Sequence, residues 1–287
     1  MIQVAFQSNP RDFLDRCGKV LEKDPIEHNL ILTLCESAER KKARGEAGDI
    51  RCAILSDSGD FIVAAVQTPP HNLALSKMKS PDIGQLAETL VKHKFDFPGI
   101  VGPNDVTAAF AEQWTALTGR EFIEYMDQII YMLKGRELLM PTVEGVLRFA
   151  VPNDVKLMTE WISAFSKSSL LKAEQISAKD AKLQAEELVK SGRMAFWTVN
   201  GKPVAQASVS GTDRVARINR VYTDPEQRGH GYASALVAHL TKLELDKGKK
   251  MSCLYADARN TKANSIYRKI GYEFAGRSSL YVLDRVS

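Results

Sequence analysis

Val221-Tyr222-Thr223-Asp224-Pro225-Glu226-Gln227-Arg228-Gly229-His230-Gly231-Tyr232-Ala233 is the stretch on which the reading of this chain turns. Its first residues alternate as a strand does, Pro225 lacks the N–H that a sheet ladder needs, and an amphipathic helix opens at the glycine pair. A tight loop therefore joins strand to helix. Gly229 and Gly231 permit backbone angles closed to other residues and leave no side chain to hold a ligand off. The first N–H groups of a helix have no internal acceptor and carry partial positive charge, so the loop suits an anion such as a diphosphate. Arg228 adds a full positive charge. One helix-end interaction is worth only about 0.3–1 kcal/mol, so several amides must converge to hold a nucleotide.

The pattern Arg228-x-x-Gly231-x-Ala233 after the strand Asn219 to Thr223 resembles the acyl-coenzyme A binding motif of the GNAT superfamily of N-acyltransferases. A second block, Asn260-Thr261-Lys262-Ala263-Asn264-Ser265-Ile266-Tyr267-Arg268-Lys269-Ile270-Gly271-Tyr272, is similar to that superfamily's closing motif: an Asn, an Ala and a Tyr lie along one helix, and a glycine-aromatic pair ends it. Two motifs in the right order are far more specific than either alone, and the resemblance covers the last half of the chain.

The resemblance implies an N-acetyltransferase that takes acetyl-CoA as acyl donor and a primary amine of a small molecule or peptide as acceptor. Main-chain groups of Val221, Tyr222 and Thr223 are expected along the amide-bearing arm of coenzyme A, with an N–H near Tyr222 polarising the thioester oxygen. Arg228, Gly229, His230, Gly231, Tyr232, Ala233 and Ser234 are expected to cradle the pyrophosphate. Asn260 and Asn264, one helical turn apart, are expected to touch the arm from its other side, with helix capping as their alternative reading.

Tyr267 lies three residues after Asn264 on the same side of the helix and is the expected general acid. A phenol with an ordinary pKa near 10 stays protonated at neutral pH and can donate to a departing thiolate; the alternative is a half-buried aromatic at a helix interface. The base is less well specified. Many members of the superfamily carry a carboxylate on the strand before the loop, where this chain has Asn219 and Arg220. Asp257, at the end of the next strand, is the possible substitute, with a turn or capping role as its alternative. His230 has a suitable pKa but sits between the loop glycines, where it faces solvent. The missing strand carboxylate leaves open a second class of function, a CoA-binding regulatory module without turnover. A phosphate-binding hydrolase is disfavoured, since the loop does not end in Gly-Lys-Ser/Thr.

Composition sets the frame for these motifs. The chain has 287 residues, 44% hydrophobic and 26% charged, with a net charge of +4. That length suggests one or two domains with ample core. Basic clusters at Lys41-Lys42-Ala43-Arg44 and Lys247-Gly248-Lys249-Lys250 fall at expected helix ends and favour solvated faces over nucleic-acid binding. The four cysteines, Cys17, Cys35, Cys52 and Cys253, are scattered and have no metal-ligand spacing, so no metal is expected. Neither a signal peptide nor an apolar run of about 20 residues is found, so a cytoplasmic protein without membrane association is expected, as monomer or homodimer.

Periodicity predicts helices between Asn9 and Arg44, with Asp24 and Pro25 as N-cap and first residue of the second. A hairpin follows, Ile50 to Leu55 and Phe61 to Gln67 about the turn Ser56-Asp57-Ser58-Gly59-Asp60. Next come a helix over Ile83 to His93, a strand and turn at Gly99 to Asp105, a helix over Val106 to Leu117 and a strand over Glu121 to Leu133. The segment Glu137 to Gly145, with Pro141 and Gly145, marks the boundary, and the chain then begins again. Leu147 to Val151 is a strand, two helices start near Asn153 or Asp154 and at Ser177, and Met194 to Ser210 is a hairpin about Asn200-Gly201-Lys202. The motifs follow, with strands at Arg214 to Thr223, Met251 to Asp257, Tyr272 to Phe274 and Leu280 to Leu283.

Both halves share this order of elements without a residue-level repeat. The fold class expected is a mixed α/β protein of tandem GNAT-like domains, each a mostly antiparallel twisted sheet flanked by helices. Residues 1–140 form a degenerate domain, structural or acceptor-shaping, and residues 146–287 form the acyl-CoA-binding domain. In the first half, Gly99 and Gly102 are followed by Pro103, which removes an N–H where an anion would need it.

Overall fold

The computed structural model describes residues 2–57, 60–135, 138–169 and 175–284. The first strand is β1 (Ile2–Gln7), followed by α1 (Pro10–Phe13), a π-helical turn (Leu14–Gly18), α2 (Lys19–Leu21) and α3 (Asn29–Ala43). Then come β2 (Arg51–Asp57), β3 (Asp60–Gln67), β4 (Leu73–Leu75), α4 (Ser80–Lys92), β5 (Gly99–Pro103), α5 (Asn104–Thr118) and β6 (Phe122–Lys134). The remainder is β7 (Val146–Phe149), α6 (Val155–Ser169), α7 (Ala178–Lys190), β8 (Met194–Val199), β9 (Lys202–Gly211), β10 (Val215–Thr223), α8 (Tyr232–Asp246), β11 (Met251–Asp257), α9 (Thr261–Lys269) and β12 (Glu273–Leu283). The chain packs as two compact units: Met1–Ile130 with Ala256–Arg259 and Phe274–Ser287, and Tyr131–Tyr255 with Asn260–Glu273.

In the first unit β1, β2, β3 and β4 pair antiparallel in sequence, β4 and β5 pair parallel, and β12 pairs antiparallel with β5, Tyr281 opposite Ile100. Successive strand residues point to opposite faces, and the burial follows that rule. Cys52, Ile54, Ala64 and Val66 meet Phe13, Leu21, Ile31 and Cys35 from the first helices, whereas Ala53, Leu55, Ala65 and Leu73 meet Leu86, Leu90, Phe110 and Trp114 from α4 and α5. Cysteines distant in sequence converge in the former cluster, where Cys35 is hydrogen-bonded with Cys52 and burial pushes the Cys17 thiol up to about 12. These are inert core thiols.

In the second unit β7, β8, β9 and β10 pair antiparallel, and β11 runs parallel to β10. Met194 and Phe196 face Met158, Trp161, Ile162, Ala181 and Ala185 of α6 and α7. The alternate residue Trp197 faces His239 of α8, ring centroids 5.0 Å apart. Asn200 and Gly201 both take positive φ, 48° and 77°, as a two-residue hairpin turn requires. In each unit a helix links a parallel pair: α4 lies between β4 and β5, α8 between β10 and β11. The mixed α/β class, with mostly antiparallel sheets flanked by helices, is the one the sequence implies.

Three elements depart from the sequence reading. Asp24 and Pro25 do not start a helix; Asp24 O accepts the His28 N–H at 3.0 Å in a turn, and α3 begins at Asn29. Strand β1 precedes the first helix, although Ile2, Val4 and Phe6 already alternate. The last two expected strands are one, β12, which runs on through Gly276 at φ 152°, a conformation that favours glycine. Residues 58–59 of the expected first hairpin turn, Glu137 of the boundary segment, and residues 170–174 between α6 and α7 lie outside the described residues.

The glycines at 99 and 102 serve packing within the first unit. A Cβ on Gly99 would lie 2.3 Å from Tyr281 O, and one on Gly102 would lie 2.7 Å from Leu75 O. The first unit's counterpart of the strand-to-helix loop is instead the segment from Ser76 to Lys79, which contains no glycine.

Candidate active site

Three local features of the second unit converge at the end of β10. The first is a bulge. Asn219 pairs with Ser208 and Tyr222 with Gln206, so Arg220 and Val221 stand opposite Ala207 alone, and Arg220 takes φ 49°. An extra residue of this kind bends a strand and re-aims its groups.

The second feature is a divergence of strands. The parallel pairing of β10 with β11 runs from Val215 opposite Met251 to Ile218 opposite Leu254 and stops there. Residues Asn219 to Thr223 therefore keep a strand edge on that side, where an extended amide-bearing ligand can add hydrogen bonds.

The third feature is the loop. After a short 3₁₀ turn, Pro225–Gln227, capped by the Asp224 carboxylate accepting from Glu226 N–H at 3.0 Å, the chain passes through Gly229 at φ 89° and Gly231 at φ 80°. Gly231 is the N-cap of α8, and the first helical bond is donated by Ala235 N–H to Gly231 O at 3.0 Å. The N–H groups of Tyr232, Ala233 and Ser234 precede that bond and remain turned toward the loop. A Cβ on Gly231 would come within 3.3 Å of Val143 Cγ2, whereas one on Gly229 would meet nothing within 4 Å.

Arg228 is exposed; its Nε donates to Thr223 O at 3.3 Å and its guanidinium lies 5.9 Å from the Tyr222 ring centroid. His230 is exposed too, stacked on Tyr232 with centroids 5.4 Å apart. Residues Val221 to Thr223 and Arg228 to Ser234 are thus brought to one strand-loop-helix corner.

Helix α9 places the remaining residues of the second motif. The Asn260 carboxamide caps the helix, accepting from Ala263 N–H at 3.0 Å, and the buried Asn264 donates from Nδ2 to Asn260 O at 2.9 Å. Tyr267 is 7% exposed, with its ring 6.0 Å from that of Tyr131 and 6.5 Å from that of Tyr272. Burial, aided by the neighbouring Tyr131 phenol, pushes its pKa up to about 12. Tyr272, which closes the motif, is a core anchor: its hydroxyl bonds Thr241 Oγ1 at 2.7 Å and Ser252 Oγ at 2.6 Å.

Asp257 belongs to the first unit. Its carboxylate accepts from Arg259 N–H at 2.9 Å and from Arg259 Nε and Nη2 at 3.0 and 2.9 Å. That hydrogen-bonded ion pair holds its pKa below the usual carboxylate range. Asn219 is occupied as well, with Nδ2 donating to Ser210 Oγ at 2.8 Å and to Arg217 O at 2.9 Å.

Sequence reasoning passed over Gln206 and Arg217 and saw in Arg220 only the lack of an acid. Gln206 is fully buried, and neither Oε1 nor Nε2 has a hydrogen-bond partner among the described residues. The clue available in the sequence was polar residues at positions that alternation assigns to a covered sheet face.

Comparison with known proteins bears on the same region. Residues 191–274 match the family model described as acetyltransferase (GNAT) domain. An uncharacterized N-acetyltransferase of Methanocaldococcus jannaschii is 29% identical over 82 residues, which are 26% of this chain and 36% of that protein. The chain thus matches about a third of that relative's length. Among solved structures, a Drosophila protein aligns over 97% of this chain and 98% of its own at TM-score 0.69 and 13% identity. A GCN5-related N-acetyltransferase from Sphaerobacter thermophilus aligns over 97% and 94% at TM-score 0.59 and 16% identity. A tandem GNAT protein from the clavulanic acid biosynthesis pathway aligns over the whole of both chains at TM-score 0.55 and 12% identity. These likenesses concern the fold, while the family match covers the segment that carries the bulge, the loop and α9. What the comparisons share is that residues 191–274 are similar to a GNAT acetyltransferase domain.

Proposed function

We propose that the second unit transfers an acetyl group from acetyl-CoA to the primary amine of a small molecule or peptide. The observation that carries this reading is the union of a free β10 edge at Asn219 to Thr223 with helix-start amides presented through positive-φ glycines. An extended amide arm ending in a diphosphate suits both parts at once, the arm on the strand edge and the diphosphate at the helix opening. Arg228 supplies a further cation beside that opening, while Asn264 and Tyr267 approach from α9.

In the reaction the amine nitrogen attacks the thioester carbon, the C–N bond forms and the C–S bond breaks. A backbone N–H at the bulge polarises the carbonyl oxygen as it gains charge. Tyr267, protonated throughout the neutral range, donates its proton to the leaving sulfur. The ammonium loses one proton to solvent before attack, and the second proton, shed by nitrogen as the amide forms, passes through solvent and restores the Tyr267 phenol. Asp257 is committed to Arg259, and a carboxylate with a lowered pKa is a weaker base than usual, so the acceptor enters as the neutral amine. The first unit, whose counterpart segment Ser76 to Lys79 lacks glycine, serves a structural or acceptor-shaping role.

The testing experiment is thermal unfolding with acetyl-CoA and free coenzyme A, followed by thiol release with a panel of amines. A ligand at about 100 times its Kd adds about 2.7 kcal/mol of stability. The expected result is a shift with both ligands and turnover with at least one amine. A shift without turnover would favour the CoA-binding module; no shift would overturn both.

A further inference from the structure

The face of the second unit's sheet that meets α6 and α7 carries more than apolar residues. Register places Gln206 beside Phe196 and Tyr222, Ser208 beside Asn219, and Arg217 beside Ser210 and Cys253. Phe196 and Tyr222 pack with Trp161 of α6, which fixes this as the face toward α6 and α7. Arg217 lies on the Tyr255 ring, 4.1 Å from its centroid, and its buried Nε has no hydrogen-bond partner among the described residues.

Arg220 stands at the bulge between Asn219 and Tyr222, in left-handed backbone at φ 49°. Among the described residues no carboxylate pairs with it, and burial together with the like charge of Arg217 lowers its pKa. Two half-buried arginines therefore stand on either side of Asn219 on β10, and the bulge at Arg220 adjoins the pair of Tyr222 with Gln206, whose amide bonds nothing among the described residues. Uncompensated buried charge and unpaired buried polar atoms cost several kcal/mol, a cost that a bound anion with matching acceptors offsets.

We propose that Arg220, Arg217 and Gln206 form an acceptor subsite that binds a carboxylate, so that the preferred substrate is an amine bearing a carboxylate, of the amino-acid type. This rests on the acetyltransferase reading above and specifies its acceptor. A guanidinium fork matches the two oxygens of a carboxylate, and the Gln206 Nε2 donates to the same group. The position suits the chemistry, because Arg220 belongs to the bulge beside which the thioester would lie, so that anchoring the carboxylate there holds the amine near the reacting carbon.

The test compares matched acceptors, β-alanine against propylamine and γ-aminobutyrate against butylamine, with phosphoethanolamine as a phosphate arm, by thiol release from acetyl-CoA. A charge-assisted hydrogen bond is worth about 1.5–3 kcal/mol, so kcat/KM for the carboxylate member should exceed that of its partner by about 10- to 150-fold. Arg220→Met should abolish that discrimination, and Arg220→Lys should restore only part of it, since the charge returns without the fork. Arg220→Met should also leave the unliganded melting temperature no lower than wild type, because an unpaired charge is removed. If that variant does not fold, Gln206→Leu serves instead and should reduce the same ratio.

Calorimetric titration of β-alanine into the CoA-saturated protein separates the two readings. Saturable binding lost in Arg220→Met supports the subsite even if no amine is acetylated. Equal rates for both members of each pair, preference for phosphoethanolamine, or no saturable β-alanine binding would overturn it.

Discussion

Replacing Tyr267 by phenylalanine removes one hydroxyl and leaves the ring that Tyr131 and Tyr272 pack against, at 6.0 and 6.5 Å. The described residues offer that hydroxyl no hydrogen bond, so its loss should change folding stability by less than about 1 kcal/mol. Catalysis should respond differently. General-acid assistance is worth about 10²- to 10⁴-fold, or about 3–5 kcal/mol of barrier at about 1.4 kcal/mol per tenfold. The proper assay is single-turnover acetyl transfer at saturating acetyl-CoA, with coenzyme A affinity measured in parallel. The expected result is a fall in kcat of at least about 100-fold with affinity and melting temperature held. Unchanged single-turnover rates with the best amine would remove Tyr267 from the chemistry. A collapse of affinity would instead assign it to donor binding.

Gly231→Ala should weaken coenzyme A binding and destabilise the unit, because alanine at φ 80° costs about 1–2 kcal/mol and its Cβ meets Val143 Cγ2 at 3.3 Å; Gly229→Ala, strained at φ 89° but unobstructed, should cost less, and chemical denaturation reads both. Asp154, bonded twice by Arg148 at 2.7 and 2.8 Å and accepting Val151 N–H at 2.8 Å, has a lowered pKa. Its contribution is therefore present above the unfolded carboxylate pKa and lost as pH falls through the folded one, and Asp154→Asn should cost about 1–3 kcal/mol at pH 7 but little in strong acid. Burial raises Tyr267 to about 12, so its contribution is complete below pH about 10 and lost as pH climbs toward that value; Tyr267→Phe should flatten the alkaline stability profile. Asp257→Asn should leave the pH dependence of kcat/KM in place, since the amine sets it, and a lost acidic limb would make Asp257 the base.

The parts legible in the sequence were those settled by local physics. Met194 to Val199 and Met251 to Asp257 alternate between sheet faces, and both strands occupy those bounds. Pro225 and the glycine pair punctuate the chain where α8 needs a cap, and Ser177 caps α7 by accepting from Asp180 N–H at 3.1 Å. What could not be read depends on partners distant along the chain. Nothing local says that β12 pairs with β5, or that Cys17, Cys35 and Cys52 share one core. Gly99 and Gly102 looked like a failed anion loop because their true reason, the close approach of Tyr281 and Leu75, is tertiary. Arg217, Arg220 and Gln206 were opaque for the same cause: the chemistry of a polar residue on a strand depends on which face is covered, and by what. Asp24-Pro25 shows the converse, a sound local signal for a helix start that the surrounding chain uses as a turn.

The account depends most on where a thioester carrier sits, and a crystal structure of the protein with coenzyme A measures that directly. The diphosphate should lie against the main-chain amides between Gly229 and Ser234, with the amide arm along Asn219 to Thr223 and the sulfur toward Tyr267. A diphosphate bound elsewhere, or an arm that leaves the β10 edge unpaired, would contradict it.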